Sequence, residues 1–197
     1  MFTRTESLKE FLRLYPIVSI LICINFIFFI IRYLPFFPRA WIFETLSGVN
    51  LYVADGEYWR LITPIFLHSG FTHFLFNSFS LVLFGPALER MVGKGKFVII
   101  YLISGIGANI ATFFLQPLTY THVGSSGAIF GLFGYYLAIT TFRKEMLSRE
   151  NSQLIITIVV LGLIMTFLQP NVNITAHIFG LAFGFLLGTV FLRKKLF

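Results

Sequence analysis

Six apolar stretches alternate with polar breaks along the chain, at about residues 16–35, 65–88, 97–116, 126–142, 153–169 and 174–192. Each is near the roughly 20 residues a helix needs to cross a bilayer core of about 30 Å. The pattern predicts an all-α polytopic membrane protein with six transmembrane helices in a single membrane domain spanning residues 1–197. The longest break runs from about residue 36 to 64. Its aromatic sequence FFPRAWIFETLSGVNLYVADGEYWR predicts a segment lying in the membrane interface.

Composition sharpens this picture. The chain is 57% hydrophobic and only 12% charged, against about 25% charged residues in soluble domains. The net charge of +7 invites a nucleic-acid partner, but the basic residues cluster at the ends of apolar stretches, so none is expected. The first stretch is too long for a cleavable signal peptide and lacks a small-residue cleavage site. The single cysteine, Cys23, can form no internal disulfide. Arg4, Lys9 and Arg13 precede the first stretch, and Arg90, Lys94 and Lys96 follow the second. Arg143, Lys144 and Arg149 follow the fourth, and Arg193, Lys194 and Lys195 the sixth. Twelve of the 15 basic residues thus fall on one side, leaving Arg32, Arg39 and Arg60 for the other. The asymmetry predicts that both termini are cytoplasmic and that the long first connection and His122 face outward.

Depth follows from these anchors at about 1.5 Å per helical residue. Ser126 is about 25 Å from Arg143, His177 about 24 Å from Arg193, and His73 and Asn77 about 25 and 20 Å from Arg90. Four polar side chains from three helices therefore share one layer inside the hydrocarbon. Taken singly, a membrane histidine or asparagine is often only a bridge between helices, and Ser125 and Ser126 suit a helix N-cap. Convergence in one costly layer points to function instead. Glycine spacing adds to this. Gly127, Gly131 and Gly134 mark one face of the fourth helix, and Gly180, Gly184 and Gly188 one face of the sixth. Small residues at this spacing let helices approach closely, which would bring Ser126 toward His177. His73 and Asn77, four apart, share a face.

The eight carboxylates, Glu6, Glu10, Glu44, Asp55, Glu57, Glu89, Glu145 and Glu150, all lie outside the membrane interior. This excludes a two-carboxylate intramembrane protease and disfavours a carrier that relies on buried acids. It also leaves a Ser-His-Asp triad without its third member. His68 and His73 are five apart and no H-E-x-x-H occurs, so no metal site or cofactor is expected. What remains is a serine–histidine dyad, His177 taking the proton of Ser126 and returning it to the leaving amine. His73, Asn77 and the backbone N–H of Ser126 are available as donors to the oxyanion. Position 128 is alanine, so the serine motif is not the G-x-S-x-G elbow of soluble hydrolases.

In these motifs the chain resembles the rhomboid intramembrane serine proteases, in their bacterial six-helix form, from about residue 57 onward. GSSG (Gly124–Gly127) matches the family's G-x-S-G, which implies Ser126 as nucleophile. AHIFG (Ala176–Gly180) is similar to the motif carrying the catalytic histidine, here His177. HSGFTHFLFN matches H-x4-H-x3-N, giving His68, His73 and Asn77, and implies His73 and Asn77 in the oxyanion hole. YWR (Tyr58–Arg60) and GPALERMVG (Gly85–Gly93) resemble structural elements of the family, which implies a structural role for Glu89. Some bacterial members carry a tyrosine stacked on the catalytic histidine where this chain has Phe130; stacking survives that change and the hydroxyl does not. The resemblance implies cleavage of single-pass membrane proteins near the outer end of their helix, in the bacterial cytoplasmic membrane. The alternative is a catalytically silent member that binds membrane segments, which loss of Ser126 or His177 would have marked.

Overall fold

The computed structural model describes residues 1–34 and 38–192. The basic triplet Arg193, Lys194 and Lys195, and Phe36 and Phe37 at the start of the first connection, lie outside the described residues, as does the side chain of Arg39. Among the described residues the order is α1 (Leu8–Leu14), α2 (Pro16–Ile31), α3 (Arg39–Leu46), β1 (Gly48–Val49), α4 (Asn50–Ala54) and α5 (Phe71–Val92). Then follow α6 (Lys94–Leu115), β2 (Thr121–His122), α7 (Ser126–Phe142), α8 (Arg149–Leu168) and α9 (Ile174–Leu192). Helices α5, α6, α8 and α9 are long and apolar enough to cross a membrane. The pair α1 and α2, bent by 111° ahead of Pro16, makes at most a fifth span, and α7 is shorter at 17 residues. The chain is a multi-pass membrane protein.

Two expectations change in detail. The fold is all-α except for a two-stranded antiparallel ladder that pairs Gly48 with His122 and Val49 with Thr121. The second apolar stretch becomes helical only at Phe71. Residues Tyr58–Leu61 and Thr63–Phe66 form 3₁₀ turns, and His68 lies in an irregular link to α5. Apolar content alone cannot tell a helix from these turns. Pro64, near the start of the second turn, and Gly70, extended at the N-cap of α5, punctuate the chain.

Helix α7 forms the centre because it is apolar on every side; 12 of its 17 residues are buried. It packs most extensively on α9, then on α6. The two glycine faces meet as expected. A Cβ on Gly180 would overlap the Gly127 carbonyl, one on Gly184 the Gly131 carbonyl, and one on Gly134 the Leu181 carbonyl. Backbone lies directly on backbone, which no side chain would permit. Glu89, buried in α5, accepts hydrogen bonds from the backbone N–H groups of Ile17 (3.1 Å) and Val18 (2.9 Å) at the start of α2. A carboxylate there satisfies otherwise unpaired donors and the positive end of the helix.

The first connection is bound tightly to this core. Asn50, fully buried, donates through Nδ2 to the carbonyls of Thr112, Gln116 and Pro117 at the end of α6. Arg60, 4% exposed, donates to the carbonyls of Glu44 (2.5 Å) and Ser47 (2.8 Å) and pairs with Glu57 at 2.5 Å. Trp59 Nε1 donates to the Thr45 carbonyl, and Thr63 Oγ1 to that of Leu46. One guanidinium thus ties the end of α3 to a 3₁₀ turn. Arg60→Ala removes both bonds, leaves the buried Ser47 carbonyl unpaired and is expected to cost roughly 2–4 kcal/mol. Thermal unfolding in detergent checks this; an unchanged midpoint would refute the structural role.

Candidate active site

Three helix N-termini and the end of α6 meet at one end of the molecule. Ser126 is the first residue of α7, His73 the third of α5 and His177 the fourth of α9. Asn173 fixes the start of α9: its Oδ1 accepts the backbone N–H of Ala176 (2.9 Å) and its Nδ2 donates to Thr112 Oγ1 (3.0 Å). Gln116 Nε2 donates to Thr175 Oγ1 at 2.8 Å, a second tie between α6 and α9. An asparagine three residues before Ala176 has the spacing of an N-cap, so its capping role was within reach of the sequence; its partner Thr112, 61 residues earlier, was not.

Ser125 departs from expectation. It occupies the N-cap position of α7, but its αR backbone (φ −79°, ψ 0°) turns the side chain away from the helix start, and it caps no N–H. Its buried hydroxyl instead shares a 3.3 Å hydrogen bond with His68 Nε2. The backbone N–H groups of the first turn of α7 therefore keep no side-chain cap. His122, in the ladder, packs its ring against Gly48.

His73 presents a defined face. The backbone N–H of Ser69 donates to His73 Nδ1 (3.5 Å), and Ser69 Oγ lies 3.0 Å from the same nitrogen. A backbone N–H can only donate, so Nδ1 carries the lone pair and the ring proton sits on Nε2. This Nε2 lies 2.7 Å from the point a Cβ on Gly124 would occupy, and Ser126 Oγ lies 3.8 Å from that point. Gly124, at φ +131°, lets the His73 ring pack this close to the backbone; an L side chain there would be strained and would strike it. Arg32, at the end of α2, anchors the link that carries His68 and Ser69 by donating to both their carbonyls.

His177 stacks on Phe130, with ring centroids 4.2 Å apart and planes at 17°. Its Nδ1 lies 2.7 Å from Thr166 Oγ1 of α8. Among the described residues Ser126 Oγ and His177 form no hydrogen bond, although Gly127 packs 3.4 Å (as its Cβ would stand) from the carbonyl of Ala176, next to His177. Asn77, buried below His73, donates one amide hydrogen to the His73 carbonyl (3.0 Å) and has a second to offer. A half-buried hydroxyl and a histidine ring thus approach each other beside Gly124, at the uncapped start of α7.

Known proteins resemble this chain over most of its length. The Rhomboid domain family model matches residues 55–194. The chain is 50% identical over 195 residues to the candidate rhomboid protease YdcA of Bacillus subtilis (strain 168), covering 99% of this chain and 98% of that protein. It is 43% identical over 136 residues to the rhomboid protease GluP of the same organism, covering 69% of this chain but 26% of GluP. It is 36% identical over 146 residues to the chloroplastic RHOMBOID-like protein 9 of Arabidopsis thaliana, covering 33% of that protein.

Proposed function

For a chain that thus belongs to the rhomboid family, we propose an intramembrane serine protease in which Ser126 and His177 form the catalytic dyad. Ser126 Oγ attacks the scissile carbonyl while His177 takes its proton, and the same proton then leaves with the amine. A water molecule activated by His177 hydrolyses the acyl-enzyme. The tetrahedral oxyanion is held by His73 Nε2–H, the second Asn77 N–H and the backbone N–H of Ser126, aided by the positive end of α7. Gly124 and Gly127 keep this space clear and the helices close, Phe130 supports the His177 ring, and His68 orients Ser125. The reaction uses neither a metal nor a cofactor.

The observation that carries the reading is the approach of Ser126 Oγ and the oriented His73 ring to one point beside Gly124. A protein that only held membrane segments would have no use for an unprotected hydroxyl beside an oriented donor. We read residues 1–197 as one domain of six spans in the bacterial cytoplasmic membrane. Both termini are cytoplasmic, and the site opens toward the outer leaflet. Its substrates are single-pass membrane proteins in the bilayer, cut near the outer end of their helix. The test is cleavage of a panel of single-pass segments in proteoliposomes. Wild-type protein is expected to cut at least one within its outer third, and His177→Asn none. No cleavage by well-folded wild-type protein across the panel would favour the silent, segment-binding reading.

A further inference from the structure

Thr166 is one of only three buried residues among the 20 of α8, the others being Ile155 and Val159. Its hydroxyl makes two short contacts, 2.7 Å to the Gly162 carbonyl oxygen and 2.7 Å to His177 Nδ1. The hydroxyl has one hydrogen to place between them. A carbonyl oxygen can only accept, and two oxygens 2.7 Å apart without a proton between them would repel, so the hydroxyl hydrogen points to Gly162. Thr166 Oγ1 is then left as the acceptor for His177, which requires the His177 proton to sit on Nδ1. In a neutral ring that leaves the lone pair on Nε2. The same bookkeeping gives His73 the opposite form, with its proton on Nε2.

We propose that Thr166 is the positioning residue that makes His177 a base. It fixes the tautomer and the ring angle through Nδ1, the task a carboxylate performs in a triad. This rests on the dyad reading of Ser126 and His177 and adds which nitrogen acts and what fixes it. The proton of Ser126 Oγ moves to Nε2 as the Oγ–C bond forms, and Nε2 gives it to the amine as the C–N bond breaks. The proton on Nδ1 stays there throughout, donated to Thr166 Oγ1. A neutral hydroxyl suits this depth, where a carboxylate would be an unsolvated charge. The partner comes from α8, and that helix is shaped for the pair. Gly162, one turn before Thr166, leaves room for Phe130, whose Cζ would lie 3.2 Å from a Cβ at that position. Gly162 and Thr166 thus receive the stacked Phe130 and His177 rings side by side.

The test uses the full-length protein in proteoliposomes with Thr166→Val, which keeps the shape and loses the hydroxyl, and Thr166→Ser, which restores it. Thr166→Val is expected to lower kcat about 10- to 100-fold with KM within about twofold, and Thr166→Ser to stay within about threefold of wild type. A second readout needs no turnover: the ¹⁵N signals of His177 in histidine-labelled protein, assigned by their loss in His177→Asn. Wild type is expected to show the Nδ1–H form, and Thr166→Val a mixture. Wild-type kcat in Thr166→Val, or a loss in Thr166→Ser equal to that in Thr166→Val, would overturn the proposal. So would an Nε2–H signal for wild-type His177, even if Thr166→Val did not fold. Protein that shows the Nδ1–H form, loses it in Thr166→Val and yet never cleaves would uphold the role of Thr166 and sink only the proteolytic reading.

Discussion

Ser126→Ala is expected to abolish both peptide-bond cleavage and labelling by a serine-directed fluorophosphonate, a loss of roughly 10⁴-fold or more in kcat. Ser125→Ala is expected to retain cleavage within about tenfold and instead to lower stability by about 1–2 kcal/mol. The two serines adjoin, yet their surroundings separate them. Ser125 Oγ is buried against His68, and its removal leaves a buried ring nitrogen without a partner. Ser126 is half-buried, its Oγ facing the His73 ring beside Gly124. Labelling should also fail in His177→Ala, because a serine hydroxyl is a weak nucleophile without its base. Peptide mapping of the adduct decides between them. An adduct on Ser125, or full cleavage by folded Ser126→Ala protein, would reverse the assignment.

Gly184→Ala should be the most damaging single methyl group in the chain. It would push into the Gly131 carbonyl, and backbone cannot rotate aside as a side chain can. The expected cost is about 3 kcal/mol or more, the upper end for overpacking. Activity should fall with it, since His177 rides on the same helix two turns nearer the site. Gly95→Ala is the control: its Cβ would meet nothing within 4 Å, in the exposed first turn of α6. There the gain in helix propensity predicts a neutral or slightly stabilising change of up to about 1 kcal/mol. Thermal unfolding and cleavage measured on both variants check the pair. Wild-type stability in Gly184→Ala would mean that α7 and α9 do not touch along this seam.

Much of this was legible in one dimension because lipid imposes a strict code. The bounds of α7 and α9 coincide with the apolar stretches predicted at 126–142 and 174–192, since the residues that flank them are polar or glycine and end both the apolar run and the helix. The glycine seam was legible for a related reason: in lipid, helices gain by close approach, and only small residues at a four-residue spacing allow it. The start of α5 was not legible. The run Ile65–Leu67 is as apolar as the helix that follows, and the 3₁₀ turn and irregular link there pack against α2 and α7. The expected cap at Ser125 failed because a buried histidine 57 residues away in sequence competed for its hydroxyl.

The sequence by itself determined that this is a multi-pass membrane protein, where its apolar helices lie, and which helix faces can touch. Those properties depend on composition and period, and a period is local. Only the tertiary structure decided where each polar atom points. The proton of His73 is assigned by a backbone N–H from the link before α5, and that of His177 by a threonine of another helix. Arg32 and Asn173 gain their roles from carbonyls and hydroxyls 36 to 61 residues distant. A hydrogen bond is directional and short, so its partner is fixed by how the helices pack rather than by anything in the neighbouring sequence.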